Sequence, residues 1–169
     1  FLARAVGRPV RWIEDRLEHL QCSCHSRDQI HDIEIGFDDD GRLLAMRDRF
    51  VMDCGAWNPI GVGIPYNTAC HLPGPYKIPN VSVVANVVAT NKVPNAPYRG
   101  AGRPEAAQAI ERMIDLIANQ LGLEPSEVRR RNMVRADEMP YAVGLRYRDG
   151  EPIVYDSGVS RTLRSNAVK

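Results

Sequence analysis

The stretch IHDIEIGFDDDGRLLAMRDRFVM, residues 30–52, contains the clearest structural signal in the chain. From residue 33 to residue 37, apolar side chains alternate with polar ones or glycine, which is the period of a strand with one buried face. The dipeptide Asp40-Gly41 is typical of a hairpin turn, and residues 43–52 return as the partner strand. These residues therefore predict an antiparallel β-hairpin.

Two short elements are predicted on the N-terminal side of this hairpin. Residues 8–13 have the pattern of a short strand, with a proline near its start where no ladder donor is needed. Asp15 and Glu18 form a capping-box pattern that opens a short helix through Leu17 and Leu20.

On the C-terminal side, the sequence predicts a loop, a strand and two helices. Residues 53–79 are rich in glycine and proline and indicate a long loop with little regular structure. Residues 81–89 alternate like a third strand. A helix begins at Pro104, carries an apolar stripe at helical spacing and ends at Gly122, and a second helix opens at Pro125.

The order of these elements indicates an α+β fold, because strands and helices do not alternate as regular βαβ units. We expect the hairpin and the third strand to pack against the two C-terminal helices. Residues 1–140 form one unit in this interpretation, and residues 141–169 are expected to be an irregular, truncated tail because apolar periodicity fades there.

Composition excludes several classes of partner. The 169 residues include 22 basic and 21 acidic side chains, a net charge of +1, which indicates no binding to nucleic acid. No apolar run approaches the length that crosses a bilayer, so no membrane span is expected. The cysteines lack the paired spacing of zinc sites and are predicted to be free thiols of a cytoplasmic protein: Cys22, Cys24, Cys54 and Cys70.

Residues 96–106, APYRGAGRPEA, form the densest motif in the chain. Gly100 and Gly102 let the backbone approach a ligand closely, and the helix that follows offers free N–H donors. Arg99 and Arg103 add positive charge. The motif could hold an oxyanion, a phosphate or a metal-oxo group, although an ordinary tight turn has the same composition. It is not a dinucleotide fingerprint, because the third glycine is absent.

This motif closely resembles the A-[YF]-R-G-x-G-x-P-[EQ]-A element of the molybdenum hydroxylases, which are the xanthine dehydrogenases, the aldehyde oxidases and the large subunits of carbon monoxide dehydrogenases. Three flanking segments resemble the same family in order and spacing. They are GRPVRWIEDRLEHL (7–20), GPYKIPNV (74–81) and IERMIDLIANQLGLEPSEVRRRNMV (110–134). The resemblance covers about residues 1–140 and implies part of the large, molybdopterin-binding subunit.

The resemblance implies a role for each residue of the motif. Tyr98, Arg99, Gly100 and Gly102 are the implied contacts to the molybdenum cofactor, and the backbone of Arg99 matches the position beside the metal. Ala101 is implied to border the substrate pocket. It occupies the position where purine-oxidising members carry an aromatic residue that stacks on the substrate.

Two further positions separate the chain from particular members of the family. Gly100 stands where the copper-binding carbon monoxide dehydrogenase has a cysteine, and glycine cannot ligate copper. Asn67 lies roughly where the purine enzymes have a substrate-orienting arginine.

The same resemblance implies that other parts of the active site lie elsewhere. The glycine-rich loop at the metal precedes Phe1, and the pterin-binding segments and the glutamate base follow Lys169. No catalytic residue is therefore assigned, and Glu105 is interpreted as a first-turn helix residue that complements the helix dipole. Because the chain opens on phenylalanine and not on methionine, we expect a fragment or a processed product.

The implied cofactor is molybdenum-molybdopterin, with a pterin dinucleotide as one form. FAD and 2Fe-2S clusters are expected on partner domains or subunits. The expected partners are the remaining parts of the large subunit, an FAD-binding medium subunit, an iron-sulfur small subunit and a small-molecule substrate.

The resemblance thus predicts a component of a hydroxylase that oxidises an aldehyde or N-heterocycle with water as the oxygen source, and no activity for the isolated chain. Carbon monoxide oxidation remains open within the same family. The alternatives are a catalytically inactive assembly piece of a split large subunit and an unrelated anion-binding module.

Overall fold

A computed structural model of the chain describes residues 1–57, 60 and 62–158. Its central sheet has three strands in the order β1-β2-β3, where β1 and β2 are antiparallel and β2 and β3 are parallel. A second, two-stranded antiparallel sheet is formed by β4 and β5. The strands are β1 (Gln29–Phe37), β2 (Leu43–Asp53), β3 (Asn80–Val88), β4 (Tyr141–Arg146) and β5 (Pro152–Tyr155). The helices are α1 (Leu2–Val6), α2 (Arg16–Cys22), α3 (Gly63–His71), α4 (Arg103–Leu121) and α5 (Pro125–Asn132).

The predicted hairpin and the α+β class are confirmed. In the antiparallel pair, Gln29 lies opposite Met52 and Ile35 opposite Met46. Along β2 the side chains alternate between buried and exposed over most of the strand. This alternation places one face of the sheet in the core and the other at the surface.

Helix α4 covers the buried face of the sheet. It packs against α3, α5 and β1. Ile110, Ile114 and Ile117 lie on its buried side, as the helical spacing predicted, and each such side chain contributes roughly 1.5–3 kcal/mol when fully buried. Gly122 ends the helix in the left-handed conformation, at φ +66°. The core also includes Phe50, Leu72, Tyr76 and Val128.

The N-terminal region agrees with the sequence in one element and differs in the other. Helix α2 begins with the predicted capping box, in which Asp15 and Glu18 each accept the other's backbone N–H, at 2.8 and 2.9 Å. The predicted strand over residues 8–13 is absent, and that part of the structure is irregular. The expectation is wrong because a strand needs a hydrogen-bonded neighbour, and no described strand pairs with this segment.

The long loop predicted over residues 53–79 is interrupted by a helix. Helix α3 buries Ile64 and Thr68 even though its sequence is poor in apolar periodicity. Pro65 lies in the first turn, where a missing N–H donor costs little, so a residue that suggests a loop is compatible with a helix start. Three residues of the predicted loop lie outside the described residues: Asn58, Pro59 and Gly61.

The tail predicted to be irregular contains the hairpin β4–β5, so that expectation is wrong up to residue 155. The rings of Tyr141 and Tyr155 lie side by side, with centroids 6.5 Å apart. The Tyr155 hydroxyl donates to the carbonyl of Gly74 at 2.6 Å and ties the hairpin to the main body. These strands have only six and four residues, too few to give a strong alternating pattern. The rest of the predicted tail, residues 159–169, lies outside the described residues.

None of the helices in the described ranges has the combination of length and apolar character that a membrane crossing requires.

Candidate functional site

The motif singled out in the sequence forms a tight loop at the N-terminus of α4, here called the site loop and defined as residues 98–102. The amide of Ala101 donates to the carbonyl of Tyr98 at 2.7 Å, and the amide of Arg103 donates to the carbonyl of Gly100 at 3.1 Å. These two bonds turn the chain from the segment after β3 into the first turn of the helix.

Three consecutive residues of the site loop have left-handed backbone conformations. Gly100 has φ +102°, Ala101 has φ +43° and Gly102 has φ +98°. A positive φ is uncommon for alanine, and it persists where the surrounding structure holds it. The loop is therefore fixed by contacts from other elements.

Side chains from outside the turn hold every carbonyl from residue 99 to residue 101. In chain order, the donors are Nη2 of Arg27 at 2.7 Å, Nη1 of Arg103 at 3.3 Å and Nδ2 of Asn67 at 3.1 Å. The carbonyl and the N–H of one trans peptide point in opposite directions. The carbonyl of residue 99 shares a peptide with the N–H of Gly100, and the carbonyl of residue 101 shares one with the N–H of Gly102. Fixing these two carbonyls therefore also fixes the directions of these two N–H groups.

Those two amides have no acceptor in the part of the chain that the structure describes. They lie beside the first turn of α4, where the amide of Glu105 likewise has no acceptor among the described residues, whereas the amides of Arg103 and Ala106 donate to the carbonyls of Gly100 and Gly102. A group of oriented N–H donors at a helix N-terminus is a typical binding place for an oxyanion.

The sequence suggested that Gly100 and Gly102 let the backbone approach a ligand, but the structure shows that they let the loop pack closely against the protein itself. A Cβ atom at Gly102 would lie 2.5 Å from the carbonyl oxygen of Ile64 and 2.8 Å from Oγ1 of Thr68, both in α3. At Gly100 it would lie 2.7 Å from the ring of Pro104. The missing side chains face protein and not an open ligand space, so the case for this loop rests on its amides.

A partly buried polar network connects the site loop to α3 and to the β4–β5 turn. Oδ1 of Asn67 accepts a hydrogen bond from the Tyr147 hydroxyl at 3.1 Å. Nη2 of Arg103 lies 3.4 Å from the same hydroxyl, and Nε of Arg103 donates to Nε2 of His71 at 3.1 Å. Both polar atoms of Asn67 are thus engaged: Nδ2 donates to the carbonyl of Ala101 in the site loop, and Oδ1 accepts from Tyr147.

His71 is neutral in this network. Its Nδ1 donates to the carbonyl of Asn67 at 2.7 Å, which leaves Nε2 as the acceptor for Arg103. Burial lowers the pKa of His71, the hydrogen bond to Asn67 opposes this shift, and the charge of Arg103 adds to it. A proton on Nε2 would remove the acceptor and place two cations together.

Arg27, which precedes β1, was not identified in the sequence because it belongs to no motif. Its Nη1 donates to Oε2 of Glu105 at 3.0 Å, and its guanidinium lies 5.2 Å from the ring centre of Tyr98. The Glu105 side chain is only 6% exposed. This carboxylate is therefore the buried partner of an arginine, in addition to being a first-turn helix residue.

A cleft of about 480 Å³ lies between β1 and α4, next to this ion pair. Arg112 and Met113 also line this cleft. Within the described residues, no three histidine, cysteine, aspartate or glutamate side chains come together as a metal-binding group.

The predicted contact residues lie in one short loop, in which Gly100 is half-buried and Gly102 is buried. Tyr98 is 67% exposed, and Arg99 is also exposed. The Arg99 side chain has no hydrogen bond or ion pair among the residues that the structure describes, and its backbone carbonyl is the atom that Arg27 holds. The structure therefore brings the predicted residues together and adds Arg27, Asn67 and Tyr147 behind them.

The chain is similar to several characterised proteins. A model of the molybdopterin cofactor-binding domain family matches residues 1–133. The gamma subunit of the 6-hydroxypseudooxynicotine dehydrogenase complex of Paenarthrobacter nicotinovorans is 38% identical over 160 residues, which is 92% of this chain and 20% of that protein. The large chain of carbon monoxide dehydrogenase of Hydrogenophaga pseudoflava is 34% identical over 164 residues, which is 94% of this chain and 20% of that protein.

Among solved structures, quinoline 2-oxidoreductase from Pseudomonas putida 86 superimposes with a TM-score of 0.78 at 41% identity, over 90% of this chain and 19% of that one. The chain thus spans about a fifth of the length of the relatives it matches. The family match and these identities show that the chain belongs to the molybdopterin cofactor-binding domain family of the molybdenum hydroxylase large subunits.

Proposed function

We propose that this chain contributes a cofactor-facing loop to a molybdenum hydroxylase that oxidises an aldehyde or an N-heterocycle with water as the oxygen source. The observation that carries the proposal is the pair of oriented, unpaired amides at Gly100 and Gly102. Membership of the molybdopterin cofactor-binding domain family supports the molybdenum cofactor as the ligand that these amides would bind. Quinoline, in the name of the solved relative, is an N-heterocycle.

The residues of the site loop fit an anionic, oxygen-bearing group. Its amides are donors, and Arg99 and Arg103 add positive charge. The buried carboxylate nearest the loop, Glu105, is paired with Arg27, which reduces its repulsion of an anion. Tyr98, Arg99, Gly100 and Gly102 would hold the cofactor, with the Arg99 backbone nearest the metal.

When bound, the molybdenum cofactor supplies the two-electron oxidation of the substrate. This chain's residues would bind and orient the cofactor, and Ala101 would border the substrate with a small side chain. We assign no proton transfer to this chain. FAD and 2Fe-2S clusters on partner domains or subunits, which the family resemblance implies, would carry the electrons away from the molybdenum cofactor.

The proposal is tested in the complete enzyme with Asn67→Leu, which removes the donor that holds the carbonyl of Ala101. We expect the molybdenum and pterin content per subunit to fall, because the amide of Gly102 is no longer oriented. Asn119→Leu makes the same replacement at an exposed position of α4, the helix that follows the site loop. It is the matched control and should keep the full molybdenum and pterin content.

Equal molybdenum content in both variants would show that the site loop is only a turn. A wild-type complex that assembles without molybdenum would favour the assembly role. Tight binding of inorganic phosphate by a molybdenum-free wild type would favour an unrelated anion-binding module.

A further inference from the structure

Arg27 combines three features that an ordinary surface arginine lacks. Its own backbone is left-handed, at φ +75°. One arm of its guanidinium donates to a backbone carbonyl of the site loop, at Arg99, and the other donates to the buried Glu105. Its charge also lies over the ring of Tyr98.

We infer that Arg27 is a positioning residue for the cofactor-facing loop, and that it acts by orienting the peptide between Arg99 and Gly100. The carbonyl of that peptide accepts from Arg27 at 2.7 Å. Because the peptide is planar and trans, its N–H is then directed away from Arg27. This N–H, on Gly100, is one of the two that the proposed function assigns to the cofactor, so the inference rests on that function.

The arginine side chain is suited to this task because its donors diverge in a rigid plane. Nη1 and Nη2 serve two different acceptors, Glu105 and Arg99, at 3.0 and 2.7 Å. A lysine has one compact ammonium on a flexible stem and cannot reproduce this planar two-way geometry. The left-handed backbone at Arg27, which is uncommon for residues other than glycine, starts the side chain on this path.

A simpler role would be neutralisation of the Glu105 carboxylate. That carboxylate is buried, and its Oε1 has no hydrogen-bond partner among the described residues. Loss of Arg27 alone would leave this charge uncompensated, which destabilises proteins irrespective of any ligand. The positioning role and the neutralising role can be separated by first replacing Glu105 with an uncharged residue, because Arg27 then has no charge to neutralise.

The experiment compares Glu105→Gln with the double variant Arg27→Met/Glu105→Gln in the complete enzyme. Two quantities are measured: the rate of molybdenum and pterin loss during dialysis, and hydrogen exchange of the peptide 98–103 in the loaded enzyme. We expect both rates to rise about tenfold or more in the double variant relative to Glu105→Gln, as for loss of a hydrogen bond to a charged donor. Arg112→Met, which removes an arginine from the same cleft without touching the loop, should match the wild type in both.

Equal rates in Glu105→Gln and in the double variant would overturn the positioning role and leave Arg27 as a neutralising partner. A wild-type enzyme without molybdenum would overturn the proposed function itself, which is a distinct outcome. If the double variant does not fold, Arg27→Lys replaces it, because lysine keeps a charge for Glu105. Rates for Arg27→Lys equal to those of the wild type would then overturn the inference, and rates about tenfold higher would support it.

Discussion

At the scale of single residues, Gly102 shows how one missing side chain fixes the site loop. Alanine at this position would combine a strained φ of +98° with a Cβ only 2.5 Å from the carbonyl of Ile64. We expect Gly102→Ala to lower the free energy of unfolding by about 3 kcal/mol, from backbone strain and overpacking together. The measurement is urea denaturation. Gly150→Ala is the control, since φ there is +87° with open space around the Cβ position, and about 1–2 kcal/mol is expected. Equal losses in the two variants would contradict the close packing of the loop on α3.

His71 gives the site a pH dependence whose sign follows from its lowered pKa. The unfolded chain takes up a proton as the pH falls through the ordinary value of 6.5, whereas the folded chain resists protonation. The stability contributed by neutral His71 is therefore present above that value and is lost as the pH falls below it.

We expect His71→Gln to lose less stability than the wild type when the pH falls from about 7 to about 5, because glutamine does not titrate. Melting temperatures across this range test the difference. Asn119→Gln, at an exposed position of α4 whose side chain does not titrate, should retain the wild-type dependence of stability on pH. If the melting temperature of His71→Gln fell with pH as steeply as that of the wild type, protonation of His71 would not be coupled to folding.

At the scale of elements, sequence patterns were reliable where the pattern is long and local. The hairpin β1–β2 and the helix α4 extend over many residues that repeat one period, and both were predicted. Helix α3 was missed because Gly63 and Pro65 in its first turn have the composition of a loop. The hairpin β4–β5 was missed because its strands are short, and it is held by a long-range contact of Tyr155 with Gly74.

A second long-range contact connects the β1–β2 turn to helix α5 through the side chain of Asn132. This buried amide donates to the carbonyls of Gly41 and Val128 at 2.8 Å, and its oxygen accepts from the amide of Leu43 at 2.8 Å. Asn132→Ala would leave a buried amide and a buried carbonyl without partners. We expect a loss of about 3 kcal/mol in the free energy of unfolding.

Urea denaturation again provides the measurement for Asn132→Ala. Asn119→Ala removes the same group from an exposed position of α4 and should change stability by no more than about 0.5 kcal/mol. Similar values for the two variants would show that the turn is held to α5 by packing alone.

At the scale of the whole molecule, the site is assembled from segments far apart in the chain. The motif at residues 98–102 could be found in the sequence because its residues are consecutive. The side chains that orient it come from before β1, from α3 and from the β4–β5 turn: Arg27, Asn67 and Tyr147. No local pattern connects these positions, since hydrogen bonds across 34 to 80 residues depend on the folded arrangement.

The side chains at and beside the site loop also lead to a prediction about substrate class. Ala101 borders the proposed pocket without a ring, so it cannot give a purine the roughly 0.5–1.5 kcal/mol that aromatic packing adds beyond buried area. Asn67 cannot compensate, because Ala101 and Tyr147 already engage both of its polar atoms. Gly100 has no side chain with which to ligate copper. The pocket is therefore expected to suit an aldehyde or a non-purine heterocycle better than xanthine or carbon monoxide.

This preference is tested by kcat/KM of the complete enzyme for an aliphatic aldehyde, quinoline, xanthine and carbon monoxide, measured side by side with one electron acceptor. The missing ring alone corresponds to a factor of about 2 to 13 against xanthine, and the missing charged contact adds to it. We expect an aldehyde or quinoline to have the highest value. Xanthine or carbon monoxide as the best substrate would contradict the role given to Ala101 and Gly100, because specificity would then be set by residues outside the site loop.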